Sequence, residues 1–345
     1  MKINKQNILS LTLLMALNTS SIIADELHIT LPNVPKADAK VVSAVKVVVH
    51  NSGSENSDVA EEKRKNQGIV FSKRVPPNYN KKELQQNDKT SLIGEVFNNK
   101  VAAYLQAQLT SENDVISKLK HAGFEILAKY PLDKKKKYVS IVFTNKEMIQ
   151  ASSKDGRGFA ATLRLLINNK NNTVNINNPL YVMKAFMQED YDEKLAKATL
   201  SSIRDSFSDI KESKELIKFT FLEKYQFMVG MPYYQDMIEL ATNSNESLLS
   251  NARKSDKIIY EQKLDNGSTT IGVKLSRRTN KFVKKIGFDN GELLPYPVLI
   301  ENNKAMILAP KYYIALMYPT LSMSEFMGIA TVPGAIERDC DKVFR

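Results

Sequence analysis

The chain contains a single cysteine, Cys340, so no internal disulfide is possible. It lies in ERDCDKVF, where flanking carboxylates disfavour a thiolate and argue against a catalytic thiol. Histidine is nearly as scarce, with His28, His50 and His121 only. No two are spaced as metal ligands and there is no cysteine cluster, so neither a transition-metal site nor a cofactor is expected. A glycine-rich phosphate loop and a nucleophile elbow are both missing. After the N-terminal segment no run of about 18 apolar residues occurs, which leaves no candidate transmembrane helix. Nor is there a basic patch interleaved with aromatics or a known nucleic-acid module, so no nucleic-acid partner is expected.

What is there is enough to build a core: 345 residues, 43% hydrophobic and 25% charged. The N-terminus has the form of a secretory signal peptide. Lys2 and Lys5 precede the apolar run ILSLTLLMAL, followed by small and polar residues ending at Ala24. Cleavage is expected after Ala24, and the mature chain is expected to be exported. Rich use of Asn, Lys and Ile fits a bacterial source and makes the periplasm the expected compartment. The formal charge is +11, or +9 once Lys2 and Lys5 are removed, and part of the excess sits in Lys134–Lys137. Such a charge favours weak association with an anionic membrane surface.

Residues 25–100 are polar, charged and broken by proline, a composition that buries too little surface to offset ordering entropy. They read as a flexible tether holding one candidate strand, VVSAVKVVV at 41–49. From Val101 the pattern changes. Thr110 or Ser111 caps a helix with Glu112 and Asp114 in its first turn, and Gly123 ends it. FEILAKY and YVSIVFT read as a strand pair around a lysine turn. NKEMIQASSK reads as a short helix capped by Thr144 or Asn145. GFAATLRLLI (158–167) and TVNINN (173–178) form a second pair, whose asparagine-rich turn suits left-handed backbone angles. A charged, helix-rich stretch follows to about Lys224.

A shift of about 132 residues lays the chain over itself. LQAQLTSENDVISKLKHAGF overlies MIELATNSNESLLSNARKSD. Leu132-Asp133 meet Leu264-Asp265, Gly158 meets Gly291 and Ile167 meets Ile300. Pro179 and Tyr181 meet Pro310 and Tyr312. One offset held across helix, hairpin, glycine, hairpin and Pro-x-Tyr predicts an internal duplication. The expected organisation is a first repeat domain over 101–228 and a second over 229–345.

LLPYPVLIENNKAMILAP in the second copy resembles the core of the family catalogued as domain of unknown function 302. There a Leu-Pro-Cys-Arg-like strand enters a hairpin closing on Asn-Pro. Leu294-Pro295 keep the Leu-Pro, while Tyr296-Pro297 stand where the family has Cys-Arg. In the first copy Arg164 holds the Arg position, Asn178-Pro179 match the closing Asn-Pro, and KLKHAGF resembles the family's helix exit. The resemblance implies an α+β fold, each domain an antiparallel sheet with helices on one face. Two copies in one chain would then form a pseudo-dimer.

Six residues are candidates for touching a ligand. Arg164 interrupts the apolar strand ATLRLLI, either as a solvent-facing residue with its stem along the sheet or as an anion-binding group in a cleft between the copies. Tyr181 and Lys184 in PLYVMK, and Lys311 and Tyr312 in PKYY, follow the closing prolines at equivalent points, lining a polar pocket or sealing the core rim. Tyr296 replaces the family's cysteine. GRGF (156–159) is an ordinary loop or an anion contact. Asp133 and Asp265 sit where turns want Asp for backbone reasons. The tail 318–336, with Met317, Met323, Met327 and Phe326, is core filling or an exposed groove.

With no catalytic constellation, the expected function is a non-catalytic binding or interaction module. Its partner is a small molecule or an envelope protein, met between the domains or at the hairpin ends. The alternatives are a hydrolase-like or redox-linked enzyme with an unrecognised site, and a cationic envelope-associated structural protein.

Overall fold

A computed structural model of the chain describes residues 92–345. The expected signal peptide, the strand at 41–49 and most of the expected tether lie outside the described residues. The end of that tether, residues 92–100, lies against the fold. Gly94 N donates to Glu212 Oε1 at 2.9 Å, and Gly94 O accepts from Asn178 Nδ2 at 2.9 Å.

Elements run in the order β1 (Lys100–Ala102), β2 (Tyr104–Gln108), α1 (Glu112–His121), β3 (Glu125–Pro131), β4 (Tyr138–Thr144), α2 (Lys146–Ala151), β5 (Leu163–Asn168), β6 (Thr173–Asn177) and α3 (Pro179–Met187). Then come α4 (Glu193–Ser206), β7 (Lys211–Glu212) and β8 (Leu216–Lys218). The second half holds β9 (Ile238–Thr242), α5 (Asn245–Lys254), β10 (Ile258–Lys263), β11 (Thr269–Val273), α6 (Phe282–Ile286), β12 (Tyr296–Glu301), β13 (Lys304–Ile307), α7 (Pro310–Met317), α8 (Met323–Gly328) and α9 (Val332–Asp341).

The protein is an α+β fold with a six-stranded antiparallel sheet, β3-β4-β5-β6-β2-β7, and a five-stranded one, β10-β11-β12-β13-β9. The first five strands of the larger sheet thus follow the connectivity of the smaller. Both belong to one compact unit, which holds all the described residues. The strands β1 and β8 form a separate ladder.

Local chemistry accounts for the element ends. Ser111 caps α1, accepting from Asp114 N at 3.1 Å, and Gly123 leaves it at φ +86°. Asn145 caps α2 through Met148 N. Asp133 closes the lysine turn by accepting from Lys137 N at 2.7 Å and Tyr138 N at 3.2 Å. The asparagine turns work as their chemistry predicts: Asn172, Asn302 and Asn303 are left-handed, and Asn168 Oδ1 accepts from the backbone of Lys170 and Asn171.

Two local expectations give way. GFAATLRLLI is not strand throughout, because Gly158–Ala161 form a 3-10 turn before β5 begins. The residues after Pro179 and Pro310 are not strand ends. Each proline is the first residue of a buried helix, where its missing N–H costs nothing.

Candidate functional site

Directly opposed residues of antiparallel strands share a face. Val142 pairs with Arg164, and Ser140 with Leu166, which pairs in turn with Asn175. This face of the larger sheet looks toward elements of the smaller one. The 3-10 turn Gly291–Leu293 packs on β4 and β5, and the turn Gly158–Ala161 packs on β11 and β12. Contact is close enough to exclude a methyl group. A Cβ on Gly158 would fall 2.5 Å from Leu299 Cδ1 and 3.1 Å from Leu264 Cδ1. One on Gly291 would fall 2.6 Å from Leu132 Cδ1.

Arg164 lies inside this layer at 2% exposure, which removes the solvent-facing reading of it. Its guanidinium donates from Nη1 to Tyr313 Oη at 3.1 Å, and from Nη2 to Tyr260 Oη at 3.2 Å and Pro295 O at 3.4 Å. Tyr313 Oη in turn donates to Leu293 O at 3.1 Å. Gly272 makes the arrangement possible, since a Cβ there would sit 2.2 Å from Tyr260 Cε1. Burial works against the guanidinium charge, but Tyr313, Tyr260 and Glu292 outweigh it and hold its pKa above the ordinary value.

Glu292 is the carboxyl of this layer. It is fully buried, and Oε1 accepts from Asn175 Nδ2 at 3.0 Å. Burial pushes its pKa well above the usual range, further than its backbone contact, Asn175 and Arg164 pull it down. Tyr313 is pushed up to about 12, again by burial first. A phenol with so high a pKa is a hydrogen-bonding group, not a proton acceptor at neutral pH. Several polar atoms of the layer, Arg164 Nε, Asn177 Nδ2, Asn175 Oδ1 and Glu292 Oε2, have no hydrogen-bond partner.

A second cluster sits at the end of α7. The last carbonyls of a helix lack intrahelical donors. Here tyrosines supply them: Tyr225 donates to Ala315 O at 3.0 Å, Tyr181 to Leu316 O at 2.7 Å and Tyr104 to Met317 O at 2.5 Å. Asn290 Nδ2 adds a second donor to Met317 O.

The six residues singled out from sequence therefore divide. Arg164 and Tyr296 meet through Tyr313, whose ring stands edge-on to Tyr296 at 5.2 Å, and Tyr296 donates to Leu308 O at 2.8 Å. Tyr181 and Tyr312 meet through Tyr225, and the buried Tyr312 hydroxyl has no hydrogen-bond partner. Lys184 is apart, paired to Glu223 at 2.8 Å over the Tyr191 ring. Lys311 is exposed on α7. The loop GRGF finds its anion within the protein: Arg157 Nε donates to Asp190 Oδ2 at 2.8 Å. His121 donates from Nδ1 to Ser117 O at 2.8 Å, and Cys340 is buried.

Glu292, Tyr260, Tyr313 and Asn175 escaped the sequence reading. Only Asn175 carried a local signal, as a polar residue alternating with Val174 and Ile176 on a strand. Among the described residues no cluster of His, Cys, Asp or Glu could hold a metal, and no helix is long and apolar enough to cross a membrane. No protein-family model, curated protein or solved structure matches the chain.

Proposed function

We propose that the chain is an exported, non-catalytic interaction module, built from two divergent copies of an α+β domain of the kind catalogued as domain of unknown function 302. The copies form an intramolecular pseudo-dimer. The observation that carries this reading is the reciprocity between the sheets. Gly158 meets Leu264 and Leu299, while Gly291 meets Leu132 and lies 3.8 Å from Leu166 by its missing Cβ. The offset of about 132 exchanges each set for the other. In a two-fold contact residue i meets j where j meets i, and this pattern has that form. The shared strand order supports the same conclusion.

The lean away from catalysis rests on the state of the layer between the sheets. The Arg164–Tyr313–Tyr260 group has the residue types of an active site, but the space a substrate would need is filled by the protein's own side chains. The raised pKa values belong to buried groups, and burial is the first cause of each shift. The partner therefore meets the outer surface. Native mass spectrometry of protein purified from the cells that make it checks this. The expected mass is that of the chain alone. A stoichiometric small molecule that is retained by the native protein and lost in Arg164→Lys would overturn the reading and put a ligand site between the sheets.

A further inference from the structure

The segment joining the two halves carries an apolar turn where a polar one is usual. In Phe227-Met228-Val229-Gly230-Met231 the backbone closes through Met231 N to Met228 O at 3.0 Å, with Gly230 at φ +83°. Val229, at the apex, is 92% exposed, and Met228 is 44% exposed. Turn tips normally hold Gly, Asn, Asp or Ser, so a β-branched side chain in water there breaks a local rule without any compensating contact. The turn does not stand alone. The Phe227 ring lies 5.2 Å from Phe326 on α8, and the next residue of α8, Met327, is 63% exposed. Met228, Val229 and Met327 thus flank one anchored aromatic pair.

Positive charge lies beside Met327. The helix α6 packs on α8, and Lys285 Nζ reaches Gly328 O at 3.5 Å, beside Met327. Lys281, Lys284 and Lys285 are exposed, as is Lys224 three residues before Phe227. The acid on α8, Glu325, is committed to capping its own helix through Ser322 N at 2.8 Å and Ser322 Oγ at 2.7 Å. An exposed apolar turn with Lys285 beside Met327, and exposed lysines on the same helix and just before the turn, suits a flat partner that is apolar below and anionic above. A protein groove would need to be concave and acidic at its rim.

We infer that the Met228–Val229 turn and Met327 dip into the headgroup–acyl boundary of an anionic lipid bilayer, with Lys224, Lys281, Lys284 and Lys285 on the headgroups. This rests on the interaction-module reading and names its partner, while the mass measurement above tests that reading separately.

The chain contains no tryptophan, so a single substitution is its own fluorescent reporter. Full-length Val229→Trp and a control on α5, Ser250→Trp, are titrated with phosphatidylglycerol vesicles and with phosphatidylcholine vesicles. The emission of Val229→Trp is expected to shift to the blue on anionic vesicles only, and that of Ser250→Trp to stay unshifted on both. Lys284→Glu with Lys285→Glu, placed in the Val229→Trp chain, is expected to weaken the shift at least about tenfold in lipid concentration, as each lysine near the surface is worth roughly fivefold. No shift at Val229→Trp on anionic vesicles overturns the proposal and leaves the tip as a protein contact. An equal shift at Ser250→Trp, or indifference to the lysine reversals, overturns it as well.

Discussion

Gly272 has no side chain because Tyr260 occupies the space one would need. A methyl group there would push the Tyr260 ring, and Pro295 Cγ at 2.9 Å blocks the other way out. Gly272→Ala is therefore expected to cost roughly 2–4 kcal/mol, from overpacking and from the weakened bond to the charged Arg164. Urea unfolding measures it, and adding Tyr260→Phe to the alanine variant should cost less than Tyr260→Phe alone, because the bond is already weakened. Glu292 offers a test with a sign. Burial raises its folded pKa, so between the ordinary carboxyl range and that raised value the folded state binds the extra proton. The stability it contributes is complete below about pH 4.5 and is lost as pH rises through the folded value. Glu292→Gln mimics the neutral form. Its advantage over the native protein should grow from pH 5 to pH 8 in thermal melts. If Glu292 were instead the ionised counter-charge of Arg164, the same variant would be destabilised by about 3 kcal/mol or more across that range.

Among the elements, those whose cause is local were legible in the chain. The strand β4 and the caps of α1 and α2 follow from pattern and side-chain chemistry within a few residues. The 3-10 turn at Gly158 was not, because the leucines it packs against, Leu264 and Leu299, lie more than 100 residues away. Arg164 misled for a related reason. A period-two pattern predicts a wet face, but β5 is buried along its whole length on both faces. Of the tyrosines that cap α7, Tyr181 alone stood out in the sequence, and its role did not, since capping α7 requires three distant segments to converge on one helix end. Asn178 shows what such convergence is worth. Its Oδ1 accepts from Leu180 N to start α3, while Nδ2 donates to Gly94 O and Ala102 O, both at 2.9 Å. Asn178→Ala should cost roughly 2–4 kcal/mol, a helix cap plus two buried carbonyls left without this donor. Asn178→Asp should restore the cap but not the two donated bonds, and a denaturant series on the pair separates the two parts.

At the scale of the whole molecule, the proposed pseudo-dimer requires its two halves to be closed on each other through a packed layer, with partners met outside it. Hydrogen exchange followed by mass spectrometry on the native chain tests this most directly. The central strands β4, β5, β11 and β12, with the turns at Gly158 and Gly291, should open only with global unfolding and exchange among the slowest segments. They should respond together when Gly272→Ala weakens the layer. Exchange at Gly158–Arg164 and Gly291–Val298 that is faster than in the edge strands β7 and β9 would mean that the layer opens in the native state. That result would contradict a closed pseudo-dimer and return Arg164, Tyr260 and Tyr313 to the list of groups a ligand can reach.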